Sequence, residues 1–144
     1  MKGVFIMLVR KFVGGVVFSG DKVLLLKNEK NEWVLPREMM HDGELSNEVA
    51  VKKIEEESGV LAEIVSTAGQ TNYEFASVTR QKPFCNKTTW YIMKSLKENE
   101  NIIGSEKPGC VSFIKVDEAM NIIGPSQDKS LVYLSFKKYR ELVQ

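Results

Sequence analysis

The sequence predicts an α/β fold in which helices cover a mixed β-sheet. Several runs of β-type residues are separated by turn signals, one amphipathic helix lies near the middle of the chain, and a longer helix lies near its end. With 144 residues, of which 43% are hydrophobic, the chain has the size of one domain with one core. We therefore expect a single domain over residues 1–144.

The strands are predicted from β-rich runs bounded by turn residues. Phe12–Phe18 and Lys22–Leu26 are expected to form a hairpin around the turn at 19–21. The apolar run Val4–Val9 is expected to belong to a first strand and not to a signal sequence, because it is short and two basic residues close it. Further strands are predicted at 33–35, 61–67, 71–75, 88–93 and 110–116.

A central helix is predicted over residues 47–58, with Ser46 as its N-cap and Gly59 as the left-handed residue that ends it. At about 100° per residue, one side of this helix is apolar and is expected to be buried. That side consists of Ala50, Val51 and Ile54, and the face that need not enter the core consists of Lys52, Lys53, Glu56 and Glu57.

Two further helices are predicted in the C-terminal part of the chain. Asp117 is expected to cap a short helix through Ile123, and Gly124-Pro125 ends it. Ser126 is expected to open a last helix that reaches Leu142, with Leu131, Leu134 and Leu142 among its apolar positions.

Charge and cysteine content exclude some classes of function. The formal net charge is +1, from 20 basic and 19 acidic residues, which does not favour duplex nucleic acid as a partner. Cys85 and Cys110 have no CxxC partner and are expected to be reduced, as is typical of a cytoplasmic protein. No stretch is long enough to span a membrane, so no membrane partner is expected.

The carboxylates on and before the central helix are the candidate chemical groups. Magnesium prefers oxygen ligands and keeps several waters, so Glu44, Glu56 and Glu57 are suited to hold it together with a substrate phosphate. The metal would neutralise phosphate charge and activate water. The alternative is a solvated helix surface held by i,i+4 pairs, namely Lys52–Glu56 and Lys53–Glu57.

The segment LPREMMHDGELSNEVAVKKIEEESGV at 35–60 resembles the Nudix box of the Nudix hydrolase family. In that box an early glutamate is followed seven residues later by an arginine and then by an aliphatic residue, paired glutamates and a glycine. Here these positions hold Glu44, Lys52, Ile54, Glu56-Glu57 and Gly59. The resemblance implies a Nudix-type α/β/α sandwich with a mixed sheet.

The box, which covers residues 38–60, departs from the family pattern at several positions. Arg37 and Glu38 replace the two glycines that usually follow Pro36. Lys52 stands where the family has arginine and lacks its planar fork. Lys53 stands where the family has its first helical glutamate, which is a metal ligand and often the catalytic base.

The resemblance implies a pyrophosphohydrolase that cleaves a phosphoanhydride bond in a nucleoside diphosphate-linked compound, such as a nucleoside or dinucleoside polyphosphate. Its catalytic residues would be Glu57, Glu56, Glu44 and Lys52, and its metal, Mg²⁺ or Mn²⁺, would be held by the three glutamates. Lys53 leaves two outcomes open. Hydrolysis is retained in altered or weakened form, or the chain is a non-catalytic Nudix module that binds a nucleotide or a protein partner.

The later strands resemble those of Nudix enzymes that act on diadenosine polyphosphates. The resemblance implies that the phosphate chain is approached by Lys87, Tyr91 and Arg80, and we expect Arg10 or Lys11 of the first strand to add a phosphate contact. We expect the large side chains Tyr73, Trp90 and Ile92 to belong to the core, because alternating large residues are typical of a half-buried strand. The implied partner is a small nucleotide-like diphosphate compound, and the protein is expected to be a monomer or a homodimer.

Overall fold

The computed structural model describes residues 8–76, 83–96 and 110–143. The strands are β1 (Leu8–Ser19), β2 (Lys22–Lys27), β3 (Trp33–Val34), β4 (Arg37–Met39), β5 (Ala62–Ala76), β6 (Pro83–Ser95) and β7 (Val111–Lys115). The helices are α1 (Ser46–Ser58), α2 (Val116–Ile122) and α3 (Ser126–Val143). Residues 4–7 of the predicted first strand lie outside the described part of the chain.

The described strands form one seven-stranded sheet. Its main path runs β3-β2-β1-β6-β5, with β4 paired to β1 and β7 paired to β2. β1 and β6 are parallel, and every other pairing is antiparallel. The predicted mixed sheet is therefore confirmed, and so is the predicted hairpin, in which Ser19 pairs with Lys22.

Helices cover both faces of this sheet, so the predicted α/β/α sandwich is also confirmed. Alternate residues of a strand point to opposite faces, and β1 accordingly sends Val17 to one core and Val16 to the other. The first core packs under α1 and includes Val13, Leu24, Ala50, Ile54 and Met93. The second packs under α2 and α3 and includes Phe18, Trp90, Ile92, Val132 and Tyr139.

Because Gly14 has no side chain, β1 can lie close both to the Trp90 ring of β6 and to Pro36, the residue before β4. A Cβ atom at Gly14 would lie 2.6 Å from a carbon of the Trp90 indole and 2.8 Å from the Pro36 carbonyl oxygen. The next residue, Gly15, donates its N–H to that same carbonyl at 3.2 Å. This approach holds β4 beside β1, with Arg37 opposite Gly14 in the register.

Both predicted N-caps are wrong. Leu45, in an extended conformation, is the N-cap of α1, so Ser46 lies inside the first turn and its Oγ is 2.5 Å from the Tyr91 hydroxyl instead. Lys115 is the N-cap of α2, and the Asp117 carboxylate accepts the N–H of Glu118 at 2.9 Å. In both cases the helix begins at least one residue earlier than the polar side chain suggested.

Two further predictions need correction. The runs 61–67 and 71–75 are one strand, β5, which passes through register shifts between Ile64 and Ser66 and between Thr67 and Gly69. In α3 the buried side follows Val132, Ser135 and Tyr139, and Leu131 joins it. Leu134 and Leu142 are exposed, because Leu134 lies about 200° from Val132 on the helix wheel.

Candidate active site

A cleft of about 1130 Å³ opens between α1, β4, the neighbouring ends of β5 and β6, and the start of α3. Its wall carries Thr71, Tyr73, Asn86 and Thr88 from the two long strands. The charged residues that line it come from several elements: Lys27, Lys30, Arg37 and Lys53 are basic, and Glu29, Glu32, Glu56, Glu57 and Asp128 are acidic. Cations and carboxylates thus face one solvent-open space.

The amphipathic pattern of α1 determines which side chains reach this cleft. Ala50, Ile54 and Ser58 are buried against the sheet, and Val51 is partly buried beside them. Gly59 ends the helix in the left-handed conformation, with φ 75°, and donates its N–H to the Glu55 carbonyl at 2.8 Å. The predicted buried side and C-terminal end of this helix are therefore confirmed.

Lys53 bridges two carboxylates at the wall of the cleft. Its ammonium donates to Glu57, four residues along α1, and its Nζ lies 3.1 Å from Oε2 of Glu38 on β4. Its side chain is only 17% exposed, whereas those of Glu38 and Glu57 are 42% and 44% exposed. Burial opposes the charged form, but the hydrogen bonds to Glu57 and Glu38 raise the pKa of Lys53 above its ordinary value. The ammonium is therefore charged at neutral pH.

Lys52 makes a much looser pair. Its Nζ lies 3.7 Å from Glu56, and its side chain is 77% exposed. An exposed i,i+4 pair of this kind contributes only about 0.3–0.5 kcal/mol. Both pairs proposed for a solvated helix surface are thus present, but only the Lys53–Glu57 pair is held at the wall of the cleft.

Glu44 does not join the two helical glutamates. Its carboxylate accepts the backbone N–H of His41 at 2.6 Å, and it is not among the described residues that line the cleft. Within residues 8–76, 83–96 and 110–143, no group of three or more His, Cys, Asp or Glu side chains is arranged to hold a metal ion. The structure brings Glu56 and Glu57 to the cleft and leaves Glu44 outside it.

The donor chemistry at the cleft still suits a hard divalent cation. Magnesium is commonly held by one or two carboxylates, with waters and substrate phosphates completing its shell. Glu56 and Glu57 provide that smaller set. One of them is shared with Lys53, and two unit charges about 4 Å apart interact by about 4 kcal/mol at an effective dielectric constant of about 20. Lys53 therefore weakens the attraction of this site for a cation.

The predicted phosphate-binding residues lie at different distances from the cleft. Tyr91 pairs with Ser46 under α1. Lys87 is exposed, and it lies in β6 between Asn86 and Thr88, which line the cleft, so its side chain points to the other face of the sheet. Arg10 donates from Nε to Oδ1 of Asn86, which lines the cleft, at 2.9 Å, and is not itself among the described residues of the cleft lining. Arg80 lies outside the described residues.

Tyr73 corrects the expectation of a core residue. Its side chain is 62% exposed and lines the cleft, whereas Trp90 and Ile92 are buried as predicted. The Trp90 indole N–H donates to the Thr71 hydroxyl at 2.8 Å. Residues 71 and 73 lie on the cleft-facing side of β5. Because β5 is an edge strand of the sheet, Tyr73 is open to solvent.

Asp128 and Arg37 were not predicted as site residues. Asp128, in the first turn of α3, is buried at the cleft, and this burial raises the pKa of its carboxyl above the ordinary value although the positive charge of Arg37 lowers it. Arg37 directly follows Pro36 and stands where the Nudix box has glycine. That departure from the box was the one sequence signal for Arg37. Nothing local marks Asp128, because tertiary packing buries it.

An α/β/α sandwich whose central helix presents paired glutamates to an open cleft is the architecture that the resemblance to the Nudix box implied. The NUDIX domain family matches residues 9–134 of the chain. The chain therefore belongs to the NUDIX domain family, and the predicted family membership is confirmed.

Individual relatives agree with this assignment. An RNA pyrophosphohydrolase of Ruthia magnifica subsp. Calyptogena magnifica is 30% identical over 100 residues, a match that covers 61% of this chain and 56% of that protein. The chain thus spans little more than half the length of this relative. The name of this relative is that of a pyrophosphohydrolase.

Solved structures show the same fold at low sequence identity. An ADP-ribose pyrophosphatase from Streptococcus suis has a TM-score of 0.67 at 16% identity, covering 91% of this chain and 92% of that one. An Ap4A hydrolase from C. elegans has a TM-score of 0.65 at 18% identity, covering 92% of this chain and 99% of that one.

Proposed function

We propose that this protein hydrolyses a phosphoanhydride bond in a nucleoside diphosphate-linked compound, such as a nucleoside or dinucleoside polyphosphate. The observation that carries the proposal is the shared cleft: Glu56 and Glu57 line the same solvent-open space as the cations Arg37 and Lys53. Carboxylates and cations at one open cleft are the groups that phosphoryl chemistry requires, because it depends on positioning and on charge stabilisation.

The residues of the cleft divide into binding and catalytic groups. The planar guanidinium of Arg37 suits two oxygens of a phosphate group, and the exposed ring of Tyr73 offers a stacking surface for a base. Glu56 and Glu57 would hold Mg²⁺ or Mn²⁺, which supplies phosphate charge neutralisation and makes water more acidic when bound. One of these two carboxylates would also accept the proton of the attacking water.

The named relatives support this class of substrate. They are called an RNA pyrophosphohydrolase, an ADP-ribose pyrophosphatase and an Ap4A hydrolase. We extend to this chain the feature that these names share, which is hydrolysis of a nucleotide compound. The proposed partner is accordingly a small nucleotide-like diphosphate. Cys85 and Cys110 are both free, which is typical of a reducing compartment, and we infer a cytoplasmic location.

Release of phosphate or mononucleotide tests the proposal. The parent protein is assayed against a panel of nucleoside diphosphate derivatives and dinucleoside polyphosphates, with Mg²⁺ and with Mn²⁺. We expect metal-stimulated release from at least one compound and a loss of about 10²–10⁴-fold in Glu57→Gln, because one of the two carboxylates that would hold the metal and accept the proton is removed. Glu48→Gln is the matched control, since Glu48 is an exposed glutamate of the same helix outside the lining of the cleft.

A second candidate function is a non-catalytic Nudix module that binds a nucleotide or a protein partner. Its support is that both helical glutamates are already paired, Glu57 with Lys53 and Glu56 with Lys52. The same assay separates the two functions. Silence of the parent across the whole panel, together with metal-dependent release by Lys53→Glu, would establish the binding module and reject hydrolysis by the natural protein.

A further inference from the structure

The Lys53 ammonium lies among carboxylates. In a phosphate site lined by carboxylates, a cation is expected at such a place. It lies against Glu57 of α1 and 3.1 Å from Glu38 of β4, and it lines the cleft. Ile54, the next residue, is buried, so the backbone that carries Lys53 is fixed against the sheet. The ammonium is therefore held by two elements and is not a freely moving surface charge.

The Lys53 ammonium has an N–H donor available for a ligand. A lysine ammonium has three N–H donors and no acceptor. Among the described residues, Lys53 has two carboxylate partners, Glu57 and Glu38. One donor is left for a group in the cleft, and a phosphate oxygen there would meet a positive charge that is already oriented and largely shielded from water.

Comparison with Lys52 shows that the position of the Lys53 ammonium matters as well as its charge. It is the neighbouring lysine on the same helix, but it is mostly exposed and lies 3.7 Å from its carboxylate partner. A charge in that setting is screened by water and salt. At Lys53 the side chain is 17% exposed, so its field in the cleft is screened less.

We propose that Lys53 is a phosphate-binding cation beside Glu57, so that the cleft binds a diphosphate group without metal. The inference rests on the proposed function in one respect, namely that the cleft holds the phosphate chain of the ligand. Arg37 supplies a second positive group on the same wall. Divalent metal is then needed for hydrolysis and not for binding.

Calorimetric titration with α,β-methylene-ADP tests this proposal, because the methylene bridge resists hydrolysis. The parent protein is titrated in EDTA and in Mg²⁺. We expect binding in EDTA with a Kd within about tenfold of the Kd in Mg²⁺. Lys53→Gln is expected to weaken binding in EDTA by about tenfold or more. Lys137→Gln, an exposed lysine of α3 outside the cleft lining, makes the same change of net charge and is expected to bind like the parent.

A second variant guards against a folding artefact. Lys53→Met keeps most of the aliphatic stem of the side chain, and circular dichroism checks that each variant is folded. Lys53→Met is expected to lose binding in EDTA as Lys53→Gln does. Equal binding by the parent and both folded variants would overturn the proposal, and so would binding by the parent in Mg²⁺ alone or in neither condition.

Manganese affinity provides an independent readout. The EPR signal of free Mn²⁺ reports binding without any reaction. We expect Lys53→Glu to bind Mn²⁺ at least about tenfold more tightly than the parent, because an added carboxylate replaces a repelling charge. Unchanged Mn²⁺ affinity would contradict the cation role of Lys53.

The outcomes distinguish this inference from the proposed function. Binding of α,β-methylene-ADP in EDTA by a parent that hydrolyses nothing, together with loss of that binding in Lys53→Gln, would uphold the role of Lys53 and reject hydrolysis. Metal-dependent hydrolysis by a parent that binds nothing in EDTA would uphold hydrolysis and reject the role of Lys53.

Discussion

Asp128 is the buried carboxyl group of the cleft, and its environment has a consequence for stability. Burial disfavours its charged form and raises its pKa, against the smaller opposing effect of Arg37. A raised pKa in the folded state means that protonation of Asp128 favours folding. This contribution is complete below the pKa of the unfolded chain and is lost as the pH rises through the pKa of the folded protein.

Asp128→Asn is therefore expected to be more stable than the parent near neutral pH, because asparagine is uncharged at every pH. The advantage should shrink as the pH falls to about 4. Urea unfolding at several pH values measures the difference. Asp42→Asn, at an exposed turn, is the control and should show no such pH-dependent gain. A destabilised Asp128→Asn at neutral pH would mean that the pairing with Arg37 outweighs burial.

Single residues also show where prediction from sequence ends. Glu56 and Glu57 were predicted as site residues because their spacing on a helix fixes which side they share. Glu44 was predicted from its place in the box, but its carboxylate bonds to the His41 backbone. The pairing of Lys53 with Glu57 follows from helical spacing, whereas its contact with Glu38 depends on the docking of β4 beside α1.

At the scale of elements, locally encoded structure was predicted and structure held by distant pairing was not. The hairpin of β1 and β2 and the end of α1 at Gly59 each carry their own turn or cap residue. β4 was missed because its three residues are strand only through pairing with β1, in which Met39 lies opposite Phe12. β5 was divided in two because its register shifts interrupt the period-two pattern.

The contact of β1 with β4 predicts unequal effects at two neighbouring glycines. In Gly14→Ala the new methyl group meets the rigid Trp90 ring and the Pro36 carbonyl, so we expect a loss of about 1–3 kcal/mol in the free energy of unfolding. In Gly15→Ala it meets the flexible end of Met93 at 3.0 Å and should cost less. Denaturant unfolding of both variants measures this, and equal losses would contradict the rigid contact at Gly14.

At the scale of the whole molecule, the order of the strands in the sheet depends on pairings between residues that are far apart in the chain. The parallel pairing of β1 with β6 joins residues near 8–18 to residues near 84–94, and no local signal specifies such a contact. The resemblance to the Nudix box implied the sandwich with a mixed sheet, which the observed fold confirms, but not this pairing. None of the three described parts of the chain contains a helix that is long and apolar enough to cross a membrane.

Among the described residues, two concave surfaces are candidates for a ligand site. The first is the cleft beside α1, and the second is a groove against α3 lined by Gly20, Met120, Phe136, Tyr139 and other residues. Lys115 and Arg140 supply basic groups to the second groove, but the paired glutamates are not among its described lining residues. Our account places the phosphate chain in the first.

Amide chemical shifts in a titration with α,β-methylene-ADP decide between these surfaces most directly. We predict that the shifts concentrate at Arg37, Lys53, Glu57 and Tyr73 around the cleft and leave the residues of the second groove unchanged. Shifts confined to Gly20, Met120 and Phe136 would contradict the account.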